Sequence, residues 1–139
     1  MAYPPFILAS TATALGWDAS IFFTFYGLAL LTRKLDLKVT PLGNPALPTW
    51  LPTSMMAVTP GFESLFSGMM KKRMYNKGIA SVEELRDLCI EADVKLIGCQ
   101  MSADLFNWEH ADFIDGVVDW VGATSFLSVA QKADVNLFI

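Results

Sequence analysis

Apolar residues along this chain fall into two kinds of block, short continuous runs and longer stretches spaced at three and four. Residues 4 to 15 have helical spacing, with Pro4 and Pro5 in the first turn and Gly16 as the stop. Residues 18 to 25 contain Ile21-Phe22-Phe23-Thr24-Phe25, apolar on alternate and intervening positions alike, which predicts a strand covered on both faces. Tyr26 to Lys34 reads as a helix rich in Leu and Ala, and Arg33 and Lys34 suit its negative end. Leu37 to Val39 is read as a short extended piece.

Helical spacing returns over residues 61 to 76. Phe62, Leu65, Phe66, Met69 and Met70 make one stripe, while Lys71-Lys72-Arg73 and Lys77 supply a solvated face, and Gly78 ends the run. Ser81-Val82-Glu83-Glu84 is a capping box that starts a helix reaching Ala92, with Val82, Leu85, Leu88, Cys89 and Ala92 on one side. Cys89 therefore reads as a small buried apolar residue. Val94 to Gly98 predicts a strand with Cys99 at its end. Ser102 is placed to cap a helix over 103 to 112. Asp115-Gly116 is a turn, Val117 to Val121 a strand, Gly122 to Lys132 the last helix and Val135 to Ile139 a terminal strand.

Strands alternating with helices predict an α/β fold, a three-layer α/β/α sandwich around a mostly parallel sheet of four to five strands. Right-handed crossovers put the C-terminal ends of parallel strands along one edge, where such sheets bind ligands. Cys99 falls on that edge by topology alone. Between the predicted elements, residues 41 to 60 contain Pro41, Pro45, Pro48, Pro52 and Pro60, too many for a regular element. Leu42, Leu47, Trp50, Leu51, Met55 and Met56 make this loop apolar. It is expected to fold over its own domain; the sharper alternative is a subunit interface or a lid.

Composition narrows the possibilities. The 139 residues are 53% hydrophobic and 17% charged, which supports one domain with a real core and argues against disorder. A net charge of −4 supplies no basic field for nucleic acid. Residues 5 to 31 carry one charge, Asp18, and by length could cross a bilayer. The turn signal Gly16-Trp17-Asp18 and the cost of a central aspartate argue against a membrane span, and the lack of a basic leading segment argues against a secretory leader. Two well-separated cysteines do not form a disulfide framework and fit a reducing compartment.

The thiol at position 99 is the candidate chemistry. Gly98-Cys99-Gln100-Met101-Ser102 puts it between a strand end and a helix start, where unpaired N–H groups favour a thiolate. Gly98, lacking a side chain, would ease access to it. Position alone leaves reactive and merely buried cysteine evenly balanced. No C-x-x-C is present, and Leu96 stands where a peroxidatic cysteine would have Thr or Ser. His110 is the one histidine and reads as a surface residue, with contact to Cys99 left open. One His and two separated Cys do not make a zinc site, and no phosphate-binding glycine motif occurs. Asp112, Asp115 and Asp119 read as helix-end, turn and exposed-face residues.

Cys99-Gln100-Met101-Ser102-Ala103-Asp104 after an apolar strand, with Phe22-Phe23-Thr24-Phe25-Tyr26-Gly27-Leu28 before it, resembles the DsrE/DsrF-like sulfur-relay family, in the branch sometimes labelled peroxiredoxin-like. Met69-Met70-Lys71-Lys72, Glu83-Glu84-Leu85, Ile114-Asp115-Gly116 and the ending Ala133 to Ile139 extend the similarity over nearly the whole chain. The resemblance implies a cytoplasmic homo-oligomer of small α/β/α domains. It also implies a sulfur carrier or sulfurtransferase that holds sulfane sulfur on Cys99 as a persulfide or thiosulfonate, with no metal or organic cofactor. TusA-like carriers and rhodanese-like donors are the implied partners. Gln100, Met101, Ser102 and Asp104 lie beside the acceptor, and the Phe-rich strand with Tyr26 and Gly27 is expected to shape the pocket. The family's additional first strand, ahead of the segment matching Ala2 to Pro5, has no counterpart in residues 1 to 139, which are expected to form a single domain without it. The alternatives are a non-catalytic scaffold subunit of a relay complex and a membrane-associated module.

Overall fold

The computed structural model describes residues 2 to 37 and 62 to 139. The Pro-rich loop 41 to 60, most of the 37 to 39 extension, and the side chains of Phe62, Leu65 and Phe66 in the predicted stripe lie outside the described residues. Two compact units are present, residues 1 to 35 with 82 to 139, and residues 36 to 81.

The first unit starts with α1 (Tyr3–Ala14), with prolines in the first turn. The chain leaves it at Gly16, whose φ of +81° is a left-handed conformation that glycine adopts without strain. There the Gly16 and Trp17 N–H groups donate back to the Thr13 and Ala12 carbonyls, closing the helix end as its sequence predicts. Strand β1 (Ser20–Phe23) follows, and then a 3-10 helix over Phe25–Leu31 where an α-helix over 26 to 34 is expected.

In the second unit, α2 (Phe62–Asn76) ends in a turn closed by Gly78, as the spacing predicts. Back in the first unit, α3 (Val82–Glu91) leads to β2 (Lys95–Cys99) and directly into α4 (Gln100–Phe106). A short 3-10 turn over His110–Asp112, β3 (Val117–Val121) and α5 (Ala123–Ala130) complete it.

The three strands form a parallel sheet in the order β1-β2-β3, so the strand that ends in Cys99 is the central one. Three strands among the described residues correct the expectation of four to five. Residues 135 to 139, expected as a terminal strand, are irregular and exposed, and pair with no strand among the described residues. Successive residues of a strand point to opposite faces. Phe23 lies against Phe6 of α1, ring centroids 5.7 Å apart, and Phe22 stacks on Phe126 of α5 at 4.5 Å. The two helices therefore cover opposite faces, and the unit is a layered α/β/α structure.

The core is centred on Phe6, Leu28, Leu31, Leu96 and Phe113, all essentially inaccessible. Cys89 is buried with them and donates to the Phe6 carbonyl at 3.3 Å, which confirms its reading as a core residue. Among the described residues no helix is long and apolar enough to cross a membrane.

The 3-10 helix is tied down from two sides. Arg86 of α3, 6% exposed, donates through one guanidinium nitrogen to the carbonyls of Leu30 and Thr32 at 3.1 and 3.0 Å. Beyond it, Thr32 bridges Phe113, and the Arg33 N–H donates to the Asp112 carbonyl at 2.9 Å. Asp115 pairs with the Arg33 guanidinium, so this turn aspartate also anchors the loop.

Gly98 serves packing rather than access. A Cβ there would lie 2.5 Å from the Trp120 ring, which is held between His110 (4.4 Å between ring centroids) and Phe113 (4.7 Å). Gly98→Ala is expected to lower stability by about 1–3 kcal/mol, the usual cost of overpacking. Urea unfolding checks this, as a lower midpoint at unchanged slope.

Candidate functional site

Strand β2 ends at Cys99 in extended conformation, and the next residue is already helical, so Cys99 is itself the N-cap of α4. This moves the helix start three residues ahead of the predicted one and corrects the reading of Ser102 as the cap. Ser102 is instead inside the first turn, wholly buried and turned toward β1. Its hydroxyl accepts from the Phe25 N–H at 2.9 Å and shares a hydrogen bond with the Thr24 hydroxyl at 3.1 Å. The register explains the meeting. Phe23 lies opposite Gly98 across the β1–β2 ladder, so the residues that follow, Thr24 and Cys99, leave the sheet side by side.

Phe25 has a φ of +47°, an unusual value for an aromatic residue. Such strain persists where the surroundings hold it. Here the bond from its N–H to a buried serine hydroxyl is one such restraint. Thr24 is the N-cap of the 3-10 helix, yet its side chain makes no capping bond. Its hydroxyl is turned to Ser102 instead of to its own helix.

The Cys99 sulfur sits among these groups, with the residue 2% exposed, which corrects the expectation that Gly98 eases access to it. Its surroundings are nonetheless polar. Burial pushes its pKa up, but the Ser102 hydroxyl and N–H, the Thr24 hydroxyl and the Met101 N–H outweigh that, and the thiol titrates below its ordinary value. The sulfur accepts no capping bond from α4, and the hydroxyl and amide groups around it favour the anion. Cys89 is the internal contrast: burial pushes its thiol up, and a backbone hydrogen bond from Ser10 offsets that only in part.

The other predicted positions separate into two groups. The Met101 N–H faces the sulfur, whereas its side chain is exposed. Gln100 and Asp104 bond to each other and not to the thiol. The Gln100 amide donates to the Asp104 carboxylate at 2.8 Å, and its carbonyl oxygen lies 3.0 Å from His110 Nε2, which must then carry the proton. His110 also stacks on Trp120, so that nitrogen is engaged by Gln100 and not aimed at the sulfur as a base. Tyr26 is 85% exposed, its ring 5.8 Å from Phe106, and Gly27 closes the turn by donating to the Thr24 carbonyl at 3.0 Å. Arg86 and Trp120 carry no signal in the sequence that marks them as supports of the site; Thr24 and Phe25 belong to the Phe-rich strand expected near the pocket, but the hydroxyl contact of Thr24 and the strain at Phe25 appear only in the fold. Among the described residues no cluster of His, Cys, Asp or Glu could hold a metal ion.

A DsrE/DsrF/DrsH-like family model matches residues 1 to 138. The chain belongs to that family. It is 53% identical to "Sulfur carrier protein DsrE2" of Allochromatium vinosum, an alignment that covers 99% of this chain and 89% of the relative. It is also 28% identical to the uncharacterized protein YrkE of Bacillus subtilis, over 96% of this chain and 86% of that one. Family membership agrees with the resemblance read from the segments around Cys99 and Phe22.

The lowered pKa has a stability consequence with a definite sign. An acid whose pKa is depressed by folding stabilises the fold fully above its unfolded pKa, and that contribution is lost as pH falls through the folded value. The stability difference between the native protein and Cys99→Ala should therefore grow in favour of the native protein as pH rises from neutral to above the unfolded thiol pKa. Urea unfolding of both proteins across that range checks it, with Cys89 common to both and cancelling.

Proposed function

We propose that this protein is a sulfur carrier that takes sulfane sulfur onto Cys99, as a persulfide or thiosulfonate, and relays it to an acceptor thiol. The observation that carries this reading is the convergence of hydroxyl and amide donors on one thiol at the end of the central strand, lowering its pKa where the other cysteine's is raised. The likeness to a relative named as a sulfur carrier supports it.

Loading on a persulfide donor R–S–SH balances without an oxidant. The Cys99 thiolate attacks the outer sulfur, a new S–S bond forms, the donor's S–S bond breaks, and its electron pair leaves with the inner sulfur and the proton as R–SH. Cys99 then holds Cys–S–S⁻. Unloading is the same exchange run toward an acceptor thiolate. No metal or organic cofactor enters either step. A residue 2% exposed meets such a donor only after the side chains over it shift, so encounter is coupled to a local opening.

On this reading Met101 and Ser102 act through their donors, while Gln100, Asp104, Tyr26 and Gly27 shape the surface around the site. The fitting partners are TusA-like carriers and rhodanese-like donors, met in the cytoplasm by a homo-oligomer. We further propose that residues 1 to 139 act as a single family domain.

Intact-mass measurement after exposure to polysulfide, thiosulfate or tetrathionate tests the reading. The native protein and Cys89→Ser are expected to gain sulfur mass at one site, and Cys99→Ser to gain none. Equal labelling of Cys89, or none in the native protein, would replace the carrier with a scaffold role.

A further inference from the structure

We propose that Thr24 and Ser102 form a two-position hydroxyl relay, in which Ser102 serves the inner sulfur of Cys99 and Thr24 serves the outer sulfur once it is loaded. This inference rests on the carrier reading and assigns it two positioning residues with different tasks.

The case is one of counting protons. A hydroxyl donates once and accepts twice. Ser102 is wholly buried, so each unmet valence there is costly. One of its lone pairs is taken by the Phe25 N–H at 2.9 Å. The Thr24–Ser102 contact at 3.1 Å can run in either direction, but it uses one of the two hydroxyl protons in both cases. One hydroxyl proton is therefore left for the sulfur.

With Cys99 as thiolate, the charge is on the inner sulfur. Thr24 then donates to Ser102, and Ser102 donates inward, so every valence of the buried hydroxyl is met. After loading, the charge moves to the outer sulfur, about 2 Å further along the new S–S bond. The inner sulfur becomes a weak acceptor. Ser102 turns its proton to Thr24, and Thr24 releases its own to the outer sulfur. The Phe25 N–H bond persists in both arrangements.

Two features single out Thr24 for the outer position. It is an exposed residue, where Ser102 is buried. Its hydroxyl oxygen also accepts no capping bond from its own helix, which leaves a lone pair free to receive the Ser102 proton when the pair reverses.

The test compares pH profiles of alkylation by iodoacetamide, read by intact mass in a Cys89→Ser background, for the reduced and the polysulfide-loaded protein. Ser102→Ala should move the reduced profile to higher pH. Thr24→Val should move the loaded profile further than the reduced one and shorten the lifetime of the loaded sulfur about tenfold, the scale of one hydrogen bond to a charged group. Thr24→Ser should restore both. Equal displacement of the two profiles by Thr24→Val, or no displacement of the loaded one, overturns the relay while the carrier reading stands. Failure of the native protein to load overturns both. Should Ser102→Ala not fold, the Thr24 pair of variants decides the matter alone.

Discussion

The bond between the Phe25 N–H and the Ser102 hydroxyl joins positions 77 residues apart in the chain, and the geometry at Cys99 depends on it. A serine hydroxyl with no access to water must find its partners inside the protein. It finds them in the backbone just past β1 and in the Thr24 side chain. That requirement brings the start of α4 against the end of β1 and sets the distance across which hydroxyl groups can reach the sulfur. It also helps hold Phe25 in a conformation its side chain disfavours.

The elements around this bond serve to keep it in place. The segment after Phe25 runs as a 3-10 helix whose last carbonyls would be left without partners, and Arg86 supplies them from α3. Arg33 then joins the loop to residues 111 to 115 through its backbone and guanidinium. A line of ring contacts from Tyr26 through Phe106, Trp108, Phe113 and Trp120 reaches His110, which hydrogen-bonds Gln100 next to the thiol. The sulfur is thus flanked by contacts from both sides of the central strand.

The two cysteines show that exposure does not set thiol character here. Both are buried. The Cys89 thiol faces a carbonyl oxygen and the aromatic core, so burial dominates and the neutral form is favoured. The Cys99 thiol faces hydroxyl and amide hydrogens, so the anion is favoured in spite of burial. What differs is the number of donors, four hydroxyl and amide groups at Cys99 against one backbone group at Cys89.

Much of this was legible in the sequence. Gly16, the capping-box position at Ser81, and the apolar runs at 20 to 23 and 95 to 99 marked element ends and strands, because helix stops and doubly covered parallel strands depend on local residue types. The same local signals put Cys99 at a strand-to-helix junction on the C-terminal edge of the sheet. The 3-10 form of residues 25 to 31 was not legible, since it follows from a strained turn and from Arg86, far away in the chain. Nor was the absence of a strand at 135 to 139, because a β-prone run pairs only where a sheet edge receives it. Ser102 looked like a cap by spacing, and only the fold showed that its hydroxyl crosses to β1. The residue types determined where a thiol could react; contacts between distant segments decided that it is buried, which donors surround it, and that Thr24 stands beside it.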